Sequence, residues 1–113
     1  MEAKNLAQEV TELHAELCAA LADPKRILLL YALSEHSQKV NDLADRVGIS
    51  QPAASRHLKV LRERGLVSSV RQGASVEYHL VDRRLIEALD ILRTVLRARI
   101  HHRAHLLVEL GSE

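Results

Sequence analysis

Three sets of side chains in this 113-residue chain have types and spacings that could do chemistry. The first is Gln51, Ser55, Arg56, Lys59 and Arg62. At steps of three and four these residues share one face of a helix. Gln and Arg can pair with base edges, and Ser and Lys suit phosphates. The second set is His101, His102 and His105. The i, i+4 spacing of His101 and His105 puts two imidazoles on one helix face, as a divalent metal site requires. The third is His14 with Cys18, also at i, i+4, which would suit a thiol nucleophile beside a base. Nothing nearby in sequence supplies a third catalytic group or an oxyanion hole for that pair. The plainer reading of Cys18 is a small, partly buried residue beside an apolar seam.

Charge distribution bears on the first set. The whole chain is near neutral, at +1, yet residues 1–23 sum to −4 and residues 51–73 to +4. A local basic block supplies phosphate affinity whatever the total; the alternative is an ordinary solvated helix face. With no Phe or Trp and only Tyr31 and Tyr78, the chain lacks the aromatic platform on which single strands stack. One cysteine excludes an intrachain disulfide framework and suits a reducing compartment. No early apolar run reads as a signal peptide, because Lys4, Glu9, Glu12 and Glu16 interrupt it, and no stretch is long enough to span a bilayer. The expectation is a cytoplasmic protein with no membrane partner.

The elements that must position these residues are mainly helical. Ala3, Leu6, Val10, Leu13, Leu17 and Ala20 predict a first helix over 3–21 with a narrow heptad-type seam. Asp23-Pro24 stops it and starts a second, with Asp as N-cap and Pro in the first turn. Ile27, Leu28, Leu30, Tyr31 and Leu33 give that helix its apolar face, and residues 34–39 read as a polar connector. A short helix follows over 40–47, then Gly48 at a left-handed C′ position. Ser50 caps a fourth helix, which buries Ala54, Leu58 and Leu61 and ends at Gly65. The period then shortens to two. Residues 67–70 and 76–80 predict a β-hairpin around a turn at 71–74. Asp82 can cap a last helix from Arg83 to about Leu110. That helix carries two stripes, one of Leu85, Leu89, Leu92 and Leu96, the other of Ala88, Ile91, Val95 and Ala98. One stripe suits a domain core and the other a partner. The order α-α-α-α-β-β-α is the plan of a single winged helix-turn-helix domain over 1–113, mainly α with a small β-hairpin. Its helix-turn-helix is 40–64, its wing 66–80, and its dimerisation helices 1–22 and 83–110.

Three segments in this order resemble the ArsR-type (ArsR/SmtB) family of bacterial winged helix-turn-helix transcriptional repressors. LADPKRILLLYAL resembles the family's second-helix signature, SQPAASRHLKVLRERGLV its recognition helix and exit, and VRQGASVEYHL its wing. The resemblance covers roughly residues 16 to 95. It implies a homodimer built from the first and last helices. It also implies repression at a double-stranded DNA operator, with release when a ligand is sensed. By motif position Ser50, Gln51, Ser55, Arg56 and His57 would face DNA, with Arg71, Gln72 and Gly73 at the wing tip. His57 can also be read as a polar helix residue with no special role, and Arg62 and Arg64 as lining the hairpin base.

The sensing positions depart from the family pattern. Where many relatives carry a cysteine pair, this chain has Val40-Asn41-Asp42-Leu43. A second family site, in the last helix, takes zinc, cobalt or nickel. It uses Asp and His at i, i+2 from one protomer and His with His or Glu at i, i+3 from the other. Here Leu92 stands two residues after Asp90, and the His102–His105 pair is one residue out of register with Asp90. Asp90, His101, His102 and His105 therefore form a displaced candidate site for a divalent metal such as zinc or nickel. The competing reading is a solvated helix end, where Arg99 and Arg103 oppose a cation. One other function stays open beside a DNA-binding repressor, a metal-independent regulator or protein-interaction module with no inducer; an enzyme using Cys18 and His14 is not expected, since that pair lacks a third catalytic group.

Overall fold

A computed structural model describes residues 3–111. Residues 1–82 group as one compact unit and residues 83–113 as a second. The first unit begins with α1 (Ala3–Glu9), a π-helical turn (Val10–His14) and α2 (Ala15–Ala20). The predicted first helix is thus present but interrupted. Thr11 Oγ1 donates to the Ala7 carbonyl at 2.8 Å, competing for the acceptor that a regular α-turn uses. A π turn holds extra chain per turn, so Leu6 before it loses heptad register with Leu17 and Ala20 after it.

Helix α3 (Pro24–Glu35) starts as the sequence predicts. Asp23 is its extended N-cap, and its carboxylate accepts the Lys25 N–H at 2.8 Å. The buried face differs from the prediction: Leu29, Leu30, Ala32 and Leu33 are buried, while Leu28 is 47% exposed. The helix turns its Leu29–Ala32–Leu33 stripe toward α4 (Val40–Val47), α5 (Gln51–Glu63) and the sheet, which leaves Leu28 outside. The core of this unit joins that stripe to Leu43 and Ala44 of α4 and to Ala54, Leu58 and Leu61 of α5. Burying each Leu contributes about 1.5–3 kcal/mol.

The connector at 34–39 is also a correction. Ser34 and Glu35 finish α3, and Gln38–Lys39 form a short strand, β1. It pairs antiparallel with β3 (Ser75–Leu80), Gln38 opposite Tyr78 and Lys39 opposite Glu77. With β2 (Val67–Gln72) the wing is therefore a three-stranded sheet of order β1-β3-β2. Gln38 is buried, and its amide donates to the carbonyls of Ala32 (2.8 Å) and His36 (3.2 Å), which pins β1 against the end of α3. The hairpin turn is tighter than 71–74. Arg71 and Gln72 are paired strand residues, and only Gly73 and Ala74 lie in the loop. Gly73 has φ 64° and Ala74 a negative φ, the signs of a type II′ turn.

The second unit is one helix, α6 (Arg84–Gly111), 28 residues long. Every described residue from Asp90 to Glu109 is exposed, Ile91, Leu92, Val95 and Leu96 among them. No helix among the described residues is long and apolar enough to cross a membrane.

Candidate nucleic-acid interface

The α4–α5 turn fixes how the candidate residues are presented. Gly48 has φ 76°, and the N–H groups of Gly48 and Ile49 both reach the Ala44 carbonyl, at 2.9 and 3.0 Å. This is the reversal of a Schellman-type C-terminus, with Gly where a side chain would be strained. Ser50 follows in extended conformation, and its Oγ accepts the Ala53 N–H at 3.2 Å. Pro52 falls in the first turn. These local rules aim α5 with Ala54, Leu58 and Leu61 inward.

The opposite face of α5 is then forced outward. Gln51, Ser55, Arg56, Lys59 and Arg62 are all exposed and share that face. None of these five side chains has a hydrogen bond or ion pair among the described residues. Two other cations of this unit are committed. Arg46 is paired with Glu35, and Arg64 with Glu16 at 3.3 Å. The contrast separates structural charges from available ones. At the wing, Arg71, Gln72 and Gly73 are exposed around the loop, and Ser75 Oγ closes the turn by donating to the Gln72 carbonyl at 3.1 Å. The wing base is held by Ser68 Oγ with His79 Nε2.

His57 does not share the α5 outer face. Its ring is only 20% exposed and turns toward the start of α3. Arg26 Nη1 lies 3.3 Å from His57 Nδ1, and Asp23 Oδ2 lies 4.0 Å from Nε2. Arg26 also donates Nε to the Ala20 carbonyl at 2.5 Å and Nη2 to the Ala19 carbonyl at 3.2 Å. One guanidinium thus caps the end of α2 and meets the inner edge of α5. Sequence patterns give no signal for this cluster, because Arg26 and His57 are 31 positions apart. The Lys25 N–H chiefly holds the Asp23 carboxyl below the ordinary carboxylate value; burial opposes it, and the charges of His57 and Arg26 add to the lowering.

The other two chemical sets are less assembled. Cys18 is exposed rather than partly buried, and His14 is exposed at the end of the π turn. Among the described residues, no three His, Cys, Asp or Glu side chains come together as a metal site. On one helix Asp90 and His101 are separated by roughly 16 Å along the axis, at 1.5 Å per residue. A site using both must draw them from two copies of the chain. Asp90 pairs with Arg93 at 3.5 Å, and His105 Nε2 lies 3.0 Å from Glu109. The four candidate ligands do not fit a metal within one chain.

A short helix, a glycine turn, a second helix with an unpaired basic outer face, and an antiparallel wing define a winged helix-turn-helix of the DNA-binding class. Comparison with known proteins agrees. Residues 23–69 match the family described as bacterial regulatory protein, arsR family. The regulator NmtR of Mycobacterium tuberculosis is 38% identical over 98 residues, covering 87% of this chain and 76% of that protein. The repressor SmtB of the same species is 38% identical over 78 residues, 69% of this chain and 58% of its own length. The chain thus spans a little over half of that relative. The crystal structure of NolR from Sinorhizobium fredii superposes with a TM-score of 0.72 at 33% identity, covering 84% of this chain and 93% of that one. The chain belongs to the ArsR family of bacterial regulatory proteins.

Proposed function

We propose that this protein is a homodimeric, sequence-specific repressor that docks on operator DNA through α5 and the wing. The observation that carries the reading is the unpaired outer face of α5: Gln51, Ser55, Arg56, Lys59 and Arg62 have no partner among the described residues, while Arg46 and Arg64 are spent on ion pairs. Ser50 stands at the N-terminus of that helix, and Arg71, Gln72 and Gly73 extend the surface at the wing tip. In this arrangement α5 enters the major groove, Gln51 and Arg56 meet base edges, and Lys59, Arg62 and Arg71 neutralise phosphates. His57 holds α5 from behind rather than touching DNA. Support for the dimer is the exposed apolar stripe of α6, Ile91, Leu92, Val95 and Leu96, which a second copy would cover. Two copies would place their recognition helices in successive major grooves, roughly 34 Å apart. Chromosomal DNA as the partner places the protein in the cytoplasm.

The test is binding of duplex DNA selected from a random pool, compared with an unrelated duplex. Arg56→Ala is expected to weaken the selected duplex by about 1–3 kcal/mol and the unrelated one much less. Equal loss on both would make Arg56 a phosphate contact. No salt-dependent binding by the wild-type protein would refute the regulator reading and favour a protein-interaction module.

A further inference from the structure

Between the start of α5 and the wing lies a cleft of about 340 Å³ that the α5 face does not include. Its polar walls are Lys39 at the end of β1, Asn41 in the first turn of α4, Gln51 at the start of α5, and Ser75 and Tyr78 of β3. Four elements, β1, α4, α5 and β3, meet there, and the pairing of β1 with β3 draws the last of them in. Lys39 is exposed and has no ion pair, although Glu77 stands opposite it in the ladder. The side chains of Asn41, Gln51 and Tyr78 likewise have no hydrogen bond among the described residues. The cleft therefore gathers one ammonium, two amides and two hydroxyls. Of these only the Ser75 hydroxyl is engaged, with the Gln72 carbonyl. No carboxylate lines it.

A cation ringed by neutral donors suits a phosphodiester, which is a single negative charge with several acceptor oxygens. The position suits the same ligand, since Gln51 borders both this cleft and the outer face of α5. We propose that the cleft seats one backbone phosphate of the bound duplex, with Lys39 supplying the charge and Asn41 and Tyr78 donating hydrogen bonds. This rests on the repressor reading and adds a charge, that of Lys39, from outside the helix-turn-helix and the wing tip. The contact sets how the recognition helix is registered on the groove and carries no base information.

The experiment measures binding of the full chain to the selected and unrelated duplexes between 50 and 200 mM salt. One phosphate contact contributes about 0.9 to the slope of log K against log salt, so each makes a roughly 3.5-fold difference across that fourfold range. Lys39→Ala removes one contact from each protomer of the dimer, so it should flatten the slope by about 1.8 on both duplexes alike, and Lys39→Arg should restore it. Tyr78→Phe should weaken both duplexes by the same factor with the slope unchanged, since it removes a neutral donor. An unaltered slope in Lys39→Ala overturns the inference, and so does a loss confined to the selected duplex, which would mean base reading. Wild-type protein that binds neither duplex fails at the earlier step and refutes the repressor reading itself. An unchanged circular dichroism melt confirms that each variant is folded, as expected for an exposed, unpaired Lys39.

Discussion

Arg26 is the side chain whose loss should be felt furthest from its own position. Its guanidinium is 16% exposed and meets four acceptors, but they are not equal. The Ala20 carbonyl at 2.5 Å accepts a charge-assisted bond, worth about 1.5–3 kcal/mol. The Ala19 carbonyl also receives the N–H groups of Leu21 and Ala22, so losing its bond to Arg26 leaves it satisfied. The 3.3 Å contact to His57 is long, adding about 0.5–1 kcal/mol. Asp23 is 3.9 Å away and one-third exposed, and solvent screening leaves that pair adding little. Arg26→Ala should therefore destabilise the fold by about 2–4 kcal/mol. With an m value near 2 kcal/mol/M, the urea midpoint should fall by about 1–2 M. Arg26→Lys can still reach Ala20 but cannot fork to His57, so it should recover about half of the loss. The assay is urea unfolding followed by far-ultraviolet circular dichroism, at one fixed protein concentration because a dimer's stability depends on it. A loss under about 1 kcal/mol in Arg26→Ala would refute the clasp, since surface substitutions typically stay within about 0.5.

Three further outcomes are expected. Asp23 has its carboxyl held below the ordinary 3.8, chiefly by the Lys25 N–H, so its contribution is present above that value and is lost as pH falls through the lowered one. Asp23→Asn keeps the cap acceptor without the titration, and urea midpoints from pH 7 to pH 2.5 should show a shallower acid-side decline than wild type; parallel curves would sink the assignment. Gly48→Ala should cost about 1–2 kcal/mol in thermal or urea unfolding, because φ 76° strains any Cβ even though no atom lies within 4 Å of it. A neutral result would mean the turn relaxes. Adding zinc or nickel, or a chelator, should leave DNA affinity unchanged, because Arg93 and Glu109 occupy two of the four candidate ligands; a metal-dependent shift abolished by His105→Ala would establish a site shared between two copies.

What sequence could show depends on how local each feature is. The Ser50 cap, the Gly48 reversal and the inward set Ala54, Leu58 and Leu61 are decided within a few residues, and each lies where spacing predicts it. The outer face of α5 follows automatically from that inward set. Strand β1 was not legible: two residues have no period, and their pairing is chosen by β3 some forty positions later. Choosing Leu28 over Leu29 for the core failed for a related reason. A helix that is apolar over most of its circumference does not say which side its neighbours occupy.

His57 shows what this distinction means for function. Position in a motif carries it to the DNA face together with Arg56, and one residue along a helix is a rotation of about 100°. That rotation takes the ring from the exposed face to the edge where Asp23 and Arg26 wait. Removing His57 should therefore lower stability and DNA affinity together, whereas removing Arg56, which has no partner within the chain, should lower affinity alone. The adjacent pair thus separates a side chain that holds the recognition helix from one that the helix is held in order to present.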